Sequence, residues 1–163
     1  MKDHTHILHP FGPLYDADST ILILGSLPSV KSRAQQFFYG HPQNRFWPLL
    51  ATLFGEPAPQ SVEEKRALAL RHHVALWDTI YSCDIVGSSD SSIRNVVPTD
   101  LRPILDGSRV RSIFCNGRTS GLYFQKYQAK ARGMEAQVLP STSPANASWT
   151  MERLLDAWRV ILE

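Results

Sequence analysis

An aromatic and polar segment between residues 37 and 47 carries the side chains best suited to chemistry. It reads Phe-Phe-Tyr-Gly-His-Pro-Gln-Asn-Arg-Phe-Trp, so flat rings stand beside amide and imidazole groups. A ring offers a stacking surface, and an amide carries both a hydrogen-bond donor and an acceptor. Because a pocket for a heterocyclic base needs both features, the segment indicates a site that binds a nucleobase.

Four loops rich in serine, glycine, proline and asparagine form the second candidate feature. They begin at residues 25–29, 81–84, 115–118 and 140–146, and each follows a run predicted to be a strand. In an open parallel sheet, ligands bind beyond the carboxyl ends of the strands, where such loops meet. Their backbone N–H groups suit phosphate oxygens better than metal ions. We therefore expect these loops and the aromatic segment to surround one cavity.

Short apolar runs that alternate with helical patterns must position these loops. The predicted strands cover residues 21–24, 74–80, 110–114 and 136–139, and helical patterns cover about 45–54, 62–72 and 118–127. Ser61 and Glu64 form a capping box, Thr99 is predicted to cap a short helix through Leu105, and Ser148 to open the last helix. This order predicts an α/β fold with a central four-stranded parallel sheet.

Composition sets the broad class of the protein. The chain has 163 residues, 43% hydrophobic and 20% charged, which is typical of one folded domain, here residues 1–163. Its net charge of +2 fits a modest nucleic-acid surface but does not indicate one alone. Cys83 and Cys115 are too few for a four-thiolate site and are expected to be buried thiols, so no metal or cofactor is predicted. Without a signal peptide or a membrane span of ~20 apolar residues, we expect a cytoplasmic protein with access to DNA.

At these residues the sequence resembles a known family. The residues from Tyr39 to Trp47 resemble the His-Pro-x-Asn-Arg-Phe-Trp signature of mismatch-specific uracil-DNA glycosylases, and they follow a Gly-x-x-Pro loop as in that family. Residues 141–146 occupy the place of the second motif of the superfamily, a serine-containing loop that enters DNA at the flipped nucleotide. The resemblance runs in element order from Ile21 to Asn146. It implies a three-layer α/β/α fold, DNA as the partner, and hydrolysis of the bond between a deaminated base and deoxyribose.

One departure from the family pattern indicates the branch. Mismatch-specific enzymes carry a catalytic Asn immediately before the proline of the first loop, but this chain has Leu27 there, which cannot position water. The combination of Gly-Ser-x-Pro-Ser with Phe-Tyr-Gly-His-Pro-x-Asn-Arg-Phe-Trp is similar to the hypoxanthine-DNA (deoxyinosine) glycosylase branch. In that branch the catalytic Asn comes from the His-Pro-x-Asn segment, which transfers the role to Asn44.

The resemblance assigns roles that compete with structural ones at several positions. Asn44 precedes a helical pattern and could be only its cap, whereas the resemblance implies that its amide orients a water toward C1′. Tyr39 could be a half-buried packing residue or the platform on which the base stacks. Asn116 could be a turn residue or could bond the edge of a purine, and both interpretations stay open. The resemblance also places Gly25 and Ser26 against the base.

Contacts to DNA are expected from two loops. Phosphate contacts are predicted for Ser29, Lys31, Arg33 and the loop residues Ser141, Ser143 and Asn146, and a wedge for the gap left by the flipped base is predicted around Pro144 and Ala145. Each of these could also be an ordinary loop or surface residue, with Asn146 or Ser148 capping the last helix. His41 suits a structural turn better than acid catalysis, and Asp78 and Asp84 are interpreted as structural hydrogen-bonding residues.

Two other functions remain open from the sequence. A uracil or thymine mismatch glycosylase could use Ser26 or Asn44 in place of the missing amide. A DNA-binding module without catalysis would bind damaged duplexes but release no base. A serine hydrolase is excluded because the chain has no Gly-x-Ser-x-Gly elbow. One domain with one site favours a monomer.

Overall fold

The computed structural model describes residues 3–163, and Met1 and Lys2 of the predicted domain lie outside the described residues. The strands are β1 Thr5–Leu8, β2 Ile21–Gly25, β3 Val74–Asp78, β4 Ile80–Ile85, β5 Arg94–Pro98, β6 Ser112–Asn116 and β7 Gln137–Leu139. The helices are α1 Val30–Gln35, α2 Phe46–Leu53, α3 Val62–Arg71, α4 Arg102–Gly107, α5 Arg118–Phe124, α6 Lys130–Arg132 and α7 Met151–Trp158. A π-helical turn, Gln125–Ala129, joins α5 to α6.

The predicted parallel sheet is present, with strand order β3-β2-β6-β7. Its central strand β2 pairs in register with both neighbours, so that Ile21 lies opposite Val74 on one side and Ser112 on the other. Every residue of β3 is buried, as expected for a strand covered on both faces. Helices flank the sheet in a three-layer α/β/α arrangement, in which α3 packs on β3 and α5 packs on β6 and β7. The predicted fold class is confirmed.

A second sheet was not predicted. Strands β1, β4 and β5 form an antiparallel sheet in the order β1-β4-β5. The predicted strand 74–80 is in fact two strands, because β3 ends at Asp78 and Ile80 begins β4. The prediction of a ligand-binding loop at residues 81–84 is therefore wrong. Within β4, Ser82 and Cys83 are buried and Asp84 is half-buried, and the strand forms by pairing with β1 and β5 on either side.

Two predicted helix caps are also corrected. The short helix α4 begins at Arg102, because the Thr99 hydroxyl donates to the carbonyl of Asp78 (2.6 Å) instead of capping a helix. The last helix is capped by Thr150, whose hydroxyl accepts from the N–H of Arg153, and not by Ser148 or Asn146. The predicted capping box of α3 is confirmed, since the Ser61 hydroxyl accepts from the N–H of Glu64 (3.1 Å).

The hydrophobic core lies between the parallel sheet and its helices. From α2 it takes Phe46 and Trp47, and from the last helix it takes Leu154 and Trp158, all of them buried. Leu162, four residues after Trp158, is 45% exposed, because the chain tightens into a 3-10 turn after Trp158. Both cysteines are buried free thiols. Within residues 3–163, no helix is long and apolar enough to cross a membrane.

Candidate active site

A cavity of about 230 Å³ opens at the carboxyl edge of the parallel sheet. Its walls come from the loops after β2, β6 and β7, the segment before α2, the end of β3, and the turn after β4. Pockets for drug-sized ligands usually enclose about 300–1,000 Å³, so this volume suits a single planar base. The aromatic segment and three of the four predicted loops therefore share one cavity, whereas residues 81–84 do not line it.

Most predicted site residues line this cavity. They are Gly25, Ser26, Ser29, Arg33, Tyr39, Asn44, Asn116, Ser141 and Ser143. Lys31, Pro144, Ala145 and Asn146 lie outside the lining, Lys31 and Ala145 being exposed to solvent. These four residues therefore form no part of the cavity wall.

The Asn44 amide has a fixed orientation. Its Oδ1 accepts from the backbone N–H of Phe46 (2.9 Å) and from the Thr142 hydroxyl (2.9 Å). A backbone N–H can only donate, so the atom that faces it must be the amide oxygen. Both lone pairs of Oδ1 are thus in use, and the amino group Nδ2 remains as the polar atom that Asn44 offers to the cavity.

Thr142 joins the two asparagines of the cavity. Its hydroxyl donates to Asn44 and accepts from Asn116 Nδ2 (3.0 Å), and its backbone N–H donates to Asn116 Oδ1 (3.0 Å). The residue is fully buried. Two hydrogen bonds to Thr142 therefore fix the orientation of the Asn116 amide. One hydrogen on Nδ2 and one lone pair on Oδ1 take no part in these two bonds.

Tyr39 has an unusual backbone and an isolated hydroxyl. Its φ is 53°, in the left-handed region, and its ring packs against Phe46 with centroids 4.1 Å apart. The hydroxyl is buried and has no hydrogen-bond partner within residues 3–163. Burial and the nearby Asp78 carboxyl raise the pKa of the Tyr39 phenol well above its usual range, so the phenol stays protonated at neutral pH.

Arg45 clamps the loop that follows β7. Its guanidinium donates to the carbonyls of Ser143 (3.0 Å), Asn146 (3.0 Å) and Trp149, and its backbone N–H donates to the carbonyl of Thr142. A planar guanidinium can satisfy several acceptors in fixed directions. One side chain next to Asn44 thus sets the shape of the adjacent loop after β7.

The serine hydroxyls at the cavity rim accept backbone N–H groups. Ser29 accepts from Ser32 at the start of α1, Ser141 accepts from Ser143, and Ser143 accepts from Ala145, each at 3.1 Å. The Ser29 hydroxyl donates its hydrogen to the Ser32 hydroxyl (3.1 Å), whereas the Ser141 and Ser143 hydroxyls each keep a hydrogen that they can donate. Hydroxyl and guanidinium donors at a rim are the groups that contact DNA phosphates in protein–DNA complexes.

Comparison with known proteins identifies the family. A family model of the uracil DNA glycosylase superfamily matches residues 13–162. The chain belongs to the uracil DNA glycosylase superfamily. It is 37% identical over 147 residues to a protein of Methanosarcina acetivorans named hypoxanthine DNA glycosylase, covering 88% of this chain and 90% of that one. A protein of the same name from Methanosarcina barkeri is 34% identical over 138 residues, covering 83% and 86%.

A solved structure agrees with this assignment. A solution NMR structure from Methanosarcina acetivorans, named as a candidate uracil DNA glycosylase, superposes with a TM-score of 0.77. It is 32% identical to this chain and covers 94% of it, while this chain covers 97% of that structure. The fold and the order of elements around the cavity are thus those of the superfamily.

Leu27 marks where this superfamily member departs from the mismatch-specific pattern. Its side chain lines the cavity and packs against a small apolar cluster of Ile80, Cys83 and Ile85. The wall that carries an amide in mismatch-specific enzymes is therefore apolar here. Asn44, in the aromatic segment, supplies an amide to the same cavity.

Three other polar residues from the sequence analysis fall in different places. The His41 ring accepts from the N–H of Gln43 (3.1 Å), in the turn that was expected. Asp84 lies on β4, outside the cavity, bonded to His6 and Asn95. Asp78 lines the cavity and pairs with the buried His9 (2.7 Å), a partner that the sequence did not predict.

Sequence reasoning missed Thr142, Arg45 and the Asp78–His9 pair as parts of the site. Thr142 lies between two residues that were chosen, and its buried place was not visible in a Ser/Thr-rich loop. Asp78 had a signal that could have been used, because it is a carboxylate at the end of a fully apolar strand. His9 comes from a segment that precedes every predicted element, so nothing in the sequence linked it to the sheet.

Proposed function

We propose that this chain is a monofunctional DNA glycosylase that hydrolyses the N-glycosidic bond of a deaminated base, chiefly hypoxanthine, in base excision repair. It acts as a single-domain monomer with access to DNA, and it needs no cofactor. The observation that carries the proposal is the cavity in which the Asn44 amide, the Tyr39 ring and Asn116 meet at the sheet edge. The names and the identity level of the two archaeal relatives support hypoxanthine as the base.

The chemistry follows from how the bond breaks. As the N-glycosidic bond lengthens, the sugar gains oxocarbenium character and the departing base gains negative charge. A donor held in place near that charge stabilises the transition state more than the ground state. Because Asn44 Oδ1 is occupied by Phe46 and Thr142, Asn44 acts through Nδ2, as a donor toward the leaving base.

This role differs from the one inferred from sequence, in which the Asn44 amide orients a water toward C1′. A water can be held by an amide carbonyl only if a lone pair on that oxygen is free, and Asn44 Oδ1 has none left. An amide also cannot remove a proton from water at neutral pH. The acceleration therefore comes from stabilising the departing base and from orienting the nucleotide in a preformed cavity.

Base selection and DNA contact follow from the rest of the site. The base stacks on Tyr39, which offsets part of the few kcal/mol that flipping costs, since one base–aromatic stack contributes about 1–3 kcal/mol. Arg33, Ser29 and the loop of Ser141 and Ser143 bind phosphates on either side of the extruded nucleotide. Pro144, Ala145 and Asn146, with Lys31, contact the duplex at the rim.

Base release from defined duplexes tests the proposal. Oligonucleotides containing inosine, uracil, xanthine or a thymine mismatch are incubated with excess enzyme, and abasic sites are counted after alkaline cleavage. We expect hypoxanthine to be released fastest, and Leu27→Asn to raise the release of uracil relative to hypoxanthine. Faster release of uracil or mismatched thymine by the wild-type protein would favour a mismatch glycosylase, and binding without release of any base would favour a DNA-binding module.

A further inference from the structure

The carboxyl group of Asp78 occupies a buried position at the floor of the cavity. Asp78 ends β3, whose residues are all buried, and its side chain is 5% exposed. Burial of a carboxylate is costly unless it is paired and hydrogen-bonded. One oxygen, Oδ2, is paired with His9 Nε2 at 2.7 Å, and the His9 side chain is completely buried.

His9 is itself held in one position by aromatic neighbours. Its ring centroid lies 4.6 Å from that of Phe11 and 4.4 Å from that of Trp77, and its backbone N–H donates to the carbonyl of Tyr81. An imidazole in such a cage cannot rotate away from its carboxylate. The pair is therefore a rigid support that fixes the direction of the Asp78 carboxyl group.

The second carboxylate oxygen borders the space beside Gly25. A Cβ added at Gly25 would lie only 2.4 Å from Asp78 Oδ1 and 3.1 Å from the Tyr39 hydroxyl. The glycine of the first loop is thus required here for space, since a side chain would collide with the carboxyl group. Oδ1 makes none of the hydrogen bonds found within residues 3–163, and Asp78 lines the cavity.

An acceptor in this position matches the chemical difference between hypoxanthine and adenine, the base from which it is formed. Deamination of adenine replaces the N1 lone pair with an N1–H and the amino group with a carbonyl oxygen. A carboxylate oxygen accepts from N1–H but faces the lone pair of adenine with repulsion. Enzymes that extrude a nucleotide read its Watson–Crick edge by such hydrogen bonds.

We propose that Asp78, held by His9, is the residue that selects hypoxanthine over adenine by accepting its N1–H. This inference rests on the proposed function and adds the determinant of its specificity. A carboxylate does not stabilise negative charge on a leaving base, so Asp78 contributes to selection and binding, while Asn44 contributes to the rate. The two residues therefore have separable effects.

Binding of two uncleavable duplexes tests the inference. One carries 2′-fluorinated deoxyinosine, which resists hydrolysis, and the other carries a tetrahydrofuran abasic analogue, which has no base. For Asp78→Asn we expect the affinity for the inosine duplex to fall about 10- to 100-fold, as for a lost hydrogen bond to a charged acceptor, with less than about a twofold change for the abasic duplex. His9→Ala, which frees the carboxyl group, should give a smaller loss on the inosine duplex alone.

Asp84→Asn is the matched control, because Asp84 also pairs with a histidine, His6 at 2.8 Å, but lies outside the cavity. It should change neither affinity. The inference would be overturned if Asp78→Asn lowered the affinity for both duplexes equally, or lowered neither. It would also be overturned if Asp78→Asn slowed excision with unchanged binding, a result that would indicate a role in activating water. Failure of the wild-type protein to release hypoxanthine from an ordinary inosine duplex would instead overturn the proposed function.

Discussion

Replacement of Asn44 by aspartate separates the two possible roles of its side chain. Aspartate has nearly the same shape and keeps an oxygen that can accept from the Phe46 N–H and the Thr142 hydroxyl, which lie at 2.9 Å from Oδ1. It replaces the Nδ2 donor with a second oxygen. If Asn44 donates to the leaving base, loss of that donor should slow excision about 10²- to 10³-fold, the usual effect of removing one transition-state donor. The negative charge should add to this loss.

Single-turnover excision from an inosine duplex measures this effect, and urea denaturation measures the fold. Asn44→Asp should leave the free energy of unfolding within about 1 kcal/mol of wild type, because a carboxylate is favourable at a helix N-terminus. Asn44→Ala also loses the bond to the first turn of α2 and should destabilise by about 0.5–2 kcal/mol. Aspartate activity close to that of wild type would refute the donor role and return Asn44 to holding water through its oxygen.

Three further perturbations test the supports of the site and the acid stability of the fold. Thr142→Val keeps the shape but removes the hydroxyl that orients Asn44, and excision should slow about 10-fold in the same assay, as expected for loss of one or two buried hydrogen bonds; an unchanged rate would contradict this. Arg45→Lys loses the planar fork that holds three loop carbonyls and should lower stability by about 1–3 kcal/mol in urea and weaken binding of duplex DNA. Hydrogen bonds from Arg71 and His72 lower the pKa of Glu56 from 4.5 to about 2. The stabilisation that these bonds give the folded state is therefore present above pH 4.5 and is lost as the pH falls toward 2. Glu56→Gln should remove that part of the acid dependence in thermal melts between pH 5 and 2, and an unaltered slope would contradict the assignment.

The sheet and the helices of this protein could be predicted because their signals are local. Runs such as Ile21–Gly25 and Val74–Asp78 are apolar almost throughout, as strands covered on both faces must be. The second sheet could not be predicted in this way. The sequence of β4, Ile-Tyr-Ser-Cys-Asp-Ile, mixes apolar and polar residues without a clear strand pattern, and it forms a strand because β1, more than 70 residues earlier, pairs with it. Such long-range pairing leaves no periodic trace in either segment.

The candidate site also contains residues that the sequence could predict and residues that only the fold brings together. Asn44, Tyr39 and the serine loops stand in short motifs, so a family resemblance could point to them from the sequence alone. Asp78 and His9 lie 69 positions apart, and only the meeting of β3 with the segment after β1 makes them a pair. Thr142 could be named from its loop, but its two asparagine partners, 98 and 26 positions away, are a property of the fold. Supporting residues are therefore harder to predict than the residues that they support.

The Asn44 side chain combines a bond to the start of α2 with a polar group that faces the cavity. From sequence, Asn44 could be interpreted as a helix cap or as a catalyst, and in the structure the N-cap residue is Arg45, with Asn44 one position before it. Its oxygen accepts the N–H of Phe46, the first residue of α2, and that bond is what turns Nδ2 toward the cavity. Any substitution that weakens the first turn of α2 should therefore also disorder the donor. Because Arg45, the next residue, holds the loop after β7, the start of this one helix sets the position of Asn44 Nδ2 relative to that loop.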